Sequence, residues 1–168
     1  MKIRIFYYLA LFAFVLSLLI HISTFFNVNP QKIFPAIWLF HAGIFIVFVP
    51  AVLTLNAWNQ GNKDKSPFAI LKIINVVPIL MKVLAFVIFI YAIVNLQLSL
   101  GSANGQPQIV DGKYVLQQRG VITEYITEEE FNKYQAYQVR QFSGHWMMFY
   151  FLSATLHKAT IIREKKKV

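Results

Sequence analysis

The sequence predicts an all-α membrane fold, a four-transmembrane-helix antiparallel bundle carrying a small extracytoplasmic insert built as a β-hairpin plus helix. Three observations predict it. Four apolar stretches, residues 5–26, 34–56, 75–98 and 142–162, each reach the ~20 residues that cover ~30 Å of hydrocarbon. Charged residues are 14% of the chain and fall almost wholly outside those stretches. Apolar residues are 57% of a 168-residue chain, more than a soluble core of this size absorbs, so a single membrane domain, 1–168, is expected.

The first stretch follows Lys2 and Arg4. It is longer than the ~7–15-residue core of a secretory signal and lacks an A-x-A-like cleavage site, which predicts an uncleaved first span. Ala10, Ala13 and Ser17 give this helix small residues suited to close helix contact. The connection Asn27–Ile33 is short and rich in turn formers, so the first two spans should form an antiparallel hairpin. Pro50 and Pro78 each lack an N–H for the helical ladder and predict kinks in the second and third spans. Ser66-Pro67 reads as an N-cap followed by proline at the first helical position, so the third helix should start at Pro67.

Orientation follows from basic residues. Lys2, Arg4, Lys63, Lys65, Lys72, Lys158, Arg163, Lys165, Lys166 and Lys167 fall on one side; Lys32, Lys113, Arg119, Lys133 and Arg140 fall on the other. The richer side should be cytoplasmic, with both termini inside and residues 99–141 outside. In that insert, runs 108–110, 113–118 and 121–125 alternate in character and are separated by Asp111-Gly112 and Arg119-Gly120, a hairpin pattern. Gly101–Pro107 is the flexible exit from the third span. Thr127-Glu128-Glu129-Glu130 fits a capping box, from which a helix should run into span four with Ser143-Gly144 as its weakest point.

The net charge of +9 raises nucleic acid as a partner, but the basic residues line membrane boundaries and form no separate domain. The expected partners are the bilayer and anionic lipid headgroups, and no nucleic acid. Arg163, Lys165, Lys166 and Lys167 should contact lipid, at about 1 kcal/mol per basic residue. There is no cysteine, so disulfide, thiolate and Cys-nucleophile chemistry are excluded.

Histidines are the best candidates for chemistry. His21, His41 and His145 fall ~5–10 Å inside the outer ends of three spans, and imidazole is a common ligand for metals and haem iron. A metal ion or haem b could be held there. The alternative is hydrogen-bonded interfacial histidine, favoured by Trp38 and Trp146 close by, with no cofactor. His157, beside Lys158, is assigned to the cytoplasmic boundary. Lys82 is the one charge well inside a span; it should snorkel toward the cytoplasm, with Asn75 one heptad away, in a structural role. No acid lies in any span, which argues against carboxylate-driven transport. Ser143 and His145 are two apart on a helix and point in different directions, so they cannot serve together as nucleophile and base. Walker-type loops and H-E-x-x-H pairs are absent.

Tyr134, Tyr137, Arg140 and Trp146 belong to an aromatic strip that reads either as an interfacial anchor or as a partner-docking surface. The run from Asp111-Gly112-Lys113-Tyr114 through Thr127–Phe131 to Phe142-Ser143-Gly144-His145-Trp146 resembles small polytopic bacterial inner-membrane proteins of unknown function. That resemblance implies an inner-membrane location and no activity. The reading adopted is a non-catalytic accessory, assembly or docking subunit with membrane-protein partners, or a homo-oligomer. The alternatives are a haem- or metal-binding redox protein and an oligomeric channel or carrier.

Overall fold

A computed structural model describes residues 2–26, 28–61, 72, 74–100 and 105–166. The described chain is mostly helical. Helix α1 is Lys2–Ser23, extended by a 3-10 turn Thr24–Phe26; the short α2 is Pro30–Ile33. A second 3-10 turn, Pro35–Trp38, leads into α3, Leu39–Gly61; α4 is Ile79–Leu100 and α5 is Glu128–Lys166. Three segments, Ile3–Phe26, Pro35–Ala57 and Ile79–Leu98, are long and apolar enough to cross a membrane.

These three segments turn their large apolar residues outward. Phe12 and Leu19 of α1, Phe45 and Ile46 of α3, and Phe86 and Ile90 of α4 are all exposed. An aqueous surface rarely carries such a contiguous apolar covering, whereas lipid requires it. Helix α5 lies among the other three and packs on each of them, so its side chains form the centre. Val139, Trp146, Tyr150 and Ala154 of α5 meet Ala10 of α1 and Ile44 and Val47 of α3 in one buried cluster.

Close approach depends on small residues, as expected for α1. Ala10 and Ser17 are fully buried, and the Ser17 hydroxyl satisfies itself on Ala13 O at 2.7 Å. Helix α5 likewise buries small residues, Ser143, Gly144, Ser153 and Ala154, with Gly144 facing Asn95 of α4. Hydrocarbon gives apolar residues no drive to leave it, so such interfaces rely on packing and interhelical hydrogen bonds.

Proline acts differently at its two positions. Helix α3 stays continuous through Pro50. At Pro78 the third span does not kink but stops: residues 75–78 are non-helical and α4 begins at Ile79. The expected span 75–98 therefore starts four residues late. The cause is that proline disfavours helical geometry in the residue before it. Pro78 O then accepts from Met81 N and Lys82 N, opening the helix. The expected start at Ser66-Pro67 and the exit Gly101–Asn104 lie outside the described residues.

The insert holds one strand more than a hairpin. Strands β1 (Gln106–Val110), β2 (Lys113–Gln118) and β3 (Val121–Tyr125) form an antiparallel sheet in the order β1-β2-β3. Val110 pairs with Lys113 and Gln118 with Val121, so each connection is a two-residue loop. Both loop residues have positive φ, 49° and 73° at Asp111-Gly112 and 50° and 84° at Arg119-Gly120, the type I′ geometry that matches strand twist. Thr123 is the extra residue of a bulge, and its hydroxyl donates to Leu116 O at 3.1 Å. Buried Val115 and Leu116, with Tyr114 against the Phe131 ring at 4.9 Å, seat the sheet on the first turn of α5.

That first turn is closed by the expected capping box. Glu130 N donates to Thr127 Oγ1 at 3.2 Å, while Glu130 Oε2 accepts from Thr127 N at 2.8 Å and from its hydroxyl at 2.9 Å. These bonds from Thr127 hold the exposed Glu130 carboxyl below the usual carboxylate range. From this cap α5 runs 39 residues without a break, through Ser143-Gly144.

Candidate functional site

At the sheet-bearing end of the bundle, polar side chains from three helices meet. His21 approaches the end of α1 and is buried. Its Nδ1 lies 2.8 Å from Ser143 Oγ on α5, and its Nε2 lies 2.5 Å from the Tyr91 hydroxyl on α4. Ser143 donates its own proton to Arg140 O at 3.2 Å, so its oxygen accepts from the ring. The neutral imidazole then carries its proton on Nδ1 and accepts the Tyr91 proton at Nε2. Three helices are thereby tied by one chain of donors with a single direction.

Arg140 sits one turn before Ser143 and closes the end of α1. Its Nε donates to Thr24 Oγ1 at 3.1 Å and its Nη2 to Thr24 O, while the Thr24 hydroxyl donates to His21 O at 2.6 Å. A guanidinium on a helix's terminal carbonyls is favourable both as hydrogen bond and against the helix dipole. Its Cζ lies over the Phe25 ring, 4.1 Å from the centre, and over that of Tyr137 at 5.1 Å. Among the described residues no carboxylate pairs with it; the one salt bridge there is Lys32–Glu128 at 3.7 Å. Beside Arg140 lies a cavity of about 490 Å³ lined by Phe25, Tyr91, Val94, Leu98 and Tyr137 with Asn95. Asn95 is buried and gives Nδ2 to Arg140 O at 3.1 Å and Gln141 O at 3.3 Å.

The three histidines do not come together. His41 is exposed on α3 and accepts from Trp146 Nε1 through Nδ1 at 3.0 Å. His145 Nδ1 donates to Gln141 O on its own helix at 3.0 Å. Among the described residues no three His, Asp or Glu side chains are grouped to hold a metal ion. Ser143 and His145 indeed turn to different partners, one to α1 and the other along α5.

Trp146 cannot belong to a docking surface. It is fully buried, packed edge-to-face on Trp38 at 5.9 Å and stacked on Phe40 at 5.5 Å. Its position on the inner face of α5 makes it core, and the aromatic strip divides there. Tyr134 and Tyr137 are half-buried neighbours, 6.4 Å between rings, and remain at the surface with Arg140. His157 is buried, stacked on Phe6 at 5.7 Å, with Nε2 donating to Val47 O at 3.0 Å.

Lys82 reaches back to Asn75, its ammonium 3.2 Å from Oδ1 and 3.4 Å from the backbone oxygen. Asn75 lies in the break before Pro78, so the pair joins the ammonium to one backbone and one side-chain carbonyl there. At the other candidate lipid contact, Arg163 Nη2 donates to Lys72 O at 2.8 Å and so ties α5 to the segment before α4. Lys165 is exposed; the Lys166 side chain and Lys167 lie outside the described residues.

Sequence reasoning missed Tyr91, Asn95 and Thr24. Tyr91 and Asn95 are one turn apart on α4, and that i, i+4 polar pair within an apolar stretch was the available signal. No protein-family model, curated protein or solved structure matches the chain.

Proposed function

We propose that this chain is a four-span protein of the bacterial inner membrane that works by binding rather than catalysis, as an accessory, assembly or docking subunit. In this reading α5 crosses as the fourth span, both termini are cytoplasmic, and residues 99–141 lie outside. The observation that carries it is the use made of polar side chains within the apolar helices. His21 bonds Ser143, Trp146 bonds His41, Tyr150 bonds Phe40 O at 2.6 Å, and His157 bonds Val47 O. Each contact joins two helices. Interhelical bonds of this kind are worth on average about 0.6 kcal/mol apiece, and together they fix one packing of the bundle. Groups committed in this way support a scaffold, and the surface left for partners is the insert with Tyr134 and Tyr137.

The test is photocrosslinking in native membranes from a phenylalanine-based probe at Tyr134, with Phe86 on the lipid-facing side of α4 as control. The reading expects one discrete, stoichiometric adduct from position 134 and none from 86. An adduct of twice the chain mass would identify a second copy as the partner. A chain that yields no adduct and extracts in mild detergent as a bare monomer contradicts the docking role. A Soret band or stoichiometric metal, lost on replacing His41 or His145, would favour redox function instead.

A further inference from the structure

The cavity beside Arg140 has the composition of a lipid-headgroup site. A guanidinium has five N–H donors. Thr24 takes two of them, at Nε and Nη2, leaving three on the edge away from Thr24. The Arg140 Cζ lies over the Phe25 and Tyr137 rings, which together with the two Thr24 bonds restrict its swing. Such a fork, oriented but not neutralised by any carboxylate among the described residues, matches two oxygens of a phosphate. Toward the interior of the candidate span Ile79–Leu98 the same face of α4 continues apolar and exposed through Val94, Ile90 and Val87, while Leu98 lines the cavity on the side of the insert. A cation placed at the level where hydrocarbon ends, above an apolar wall, is the arrangement that a phospholipid satisfies with headgroup and chain at once.

We propose that the Arg140 cavity binds one anionic phospholipid through its phosphate, with the upper chain running along Val94 and Ile90 of α4. Tyr91, which lines the cavity, adds an acceptor, because its proton is given to His21. A headgroup bearing hydroxyls, such as phosphatidylglycerol, can use that oxygen; the quaternary ammonium of phosphatidylcholine cannot donate to it and brings a second cation near Arg140. The site is separate from the basic tail, and it does not depend on the docking role.

The full chain, purified in mild detergent and stripped of lipid, is titrated with phosphatidylglycerol, with phosphatidylcholine and with inorganic phosphate, bound ligand being counted by native mass spectrometry. One phosphatidylglycerol per chain is expected at roughly tenfold lower concentration than phosphatidylcholine, without displacement by millimolar inorganic phosphate. Arg140→Gln should weaken phosphatidylglycerol binding roughly tenfold to a hundredfold and erase the preference. Val94→Trp, which fills the cavity and leaves the Arg140–Thr24 bonds in place, should abolish binding at an unchanged melting temperature. The proposal is overturned if either variant, folded like the wild type, binds phosphatidylglycerol as the wild type does. Equal binding of the two lipids, or displacement by inorganic phosphate, also overturns it. Should Arg140→Gln fail to fold, Val94→Trp alone decides.

Discussion

Gly144 of α5 faces Asn95 of α4, and the effect of replacing it by alanine should invert sign with the residue opposite. A Cβ at Gly144 would stand 2.6 Å from Asn95 Nδ2, so one side must yield by about 1 Å to reach ordinary contact. Asn95 cannot move cheaply, because that nitrogen holds Arg140 O and Gln141 O from a buried position. Losing both of these bonds from a buried carboxamide costs about 1–3 kcal/mol. Against this, alanine in place of a mid-helix glycine gains about 1 kcal/mol. The steric term wins, and Gly144→Ala should destabilise by on the order of 1 kcal/mol. In an Asn95→Ala background neither clash nor bonds exist, so the same change should stabilise by up to about 1 kcal/mol, a coupling of roughly 2 kcal/mol. Reversible unfolding in mixed micelles, followed by circular dichroism over a double-mutant cycle, measures it. An equal effect of Gly144→Ala in both backgrounds would falsify the reasoning.

Tyr150→Phe removes the bond to Phe40 O and should cost about 1 kcal/mol in the same assay, whereas Gly43→Ala should cost more, since its Cβ would meet the Tyr150 oxygen at 2.5 Å. A loss no larger for Gly43→Ala than for Tyr150→Phe would refute that contact. His41→Phe leaves the buried Trp146 N–H without its acceptor and should destabilise by about 1–3 kcal/mol, with Trp146→Phe removing most of the difference. Additive effects of the two would contradict the pairing. Glu130 has a depressed carboxyl pKa, so its cap contributes fully above the ordinary glutamate range and is lost as pH falls through the lowered value. Hydrogen exchange at the first turn of α5 should accelerate there in the wild type and show no such pH step in Glu130→Gln.

Much of this architecture was legible because it depends on local chemistry. Asp111-Gly112 and Arg119-Gly120 announce their turns through residues that tolerate positive φ, and Thr127 with Glu130 announces the cap. Burial at a helix interface leaves a weaker mark. His21, His41 and His145 could be placed at one depth by counting residues, but rotation about each helix axis decides what a side chain meets. That rotation sent His21 to Ser143 and Tyr91, and His41 outward to Trp146 Nε1. Trp146 went to the core for the same reason: an amphipathic ring suits a membrane interface and a packed core equally well. Pro78 was recognised as a disruption, yet whether it kinks or ends a helix depends on the preceding turn, where Asn75 offers carbonyls to Lys82.

The chain has no cysteine, so a single introduced thiol reports topology without background. Gln118→Cys lies on the exposed sheet and Lys165→Cys near the end of α5, 47 residues later along the chain and beyond the whole apolar part of that helix. Labelling both variants in intact cells with a membrane-impermeant maleimide tests whether α5 is a fourth span. The account predicts that Cys at position 118 reacts at once and that Cys at position 165 reacts only after permeabilisation. Equal labelling of the two in intact cells would put both ends of α5 on one side and contradict it.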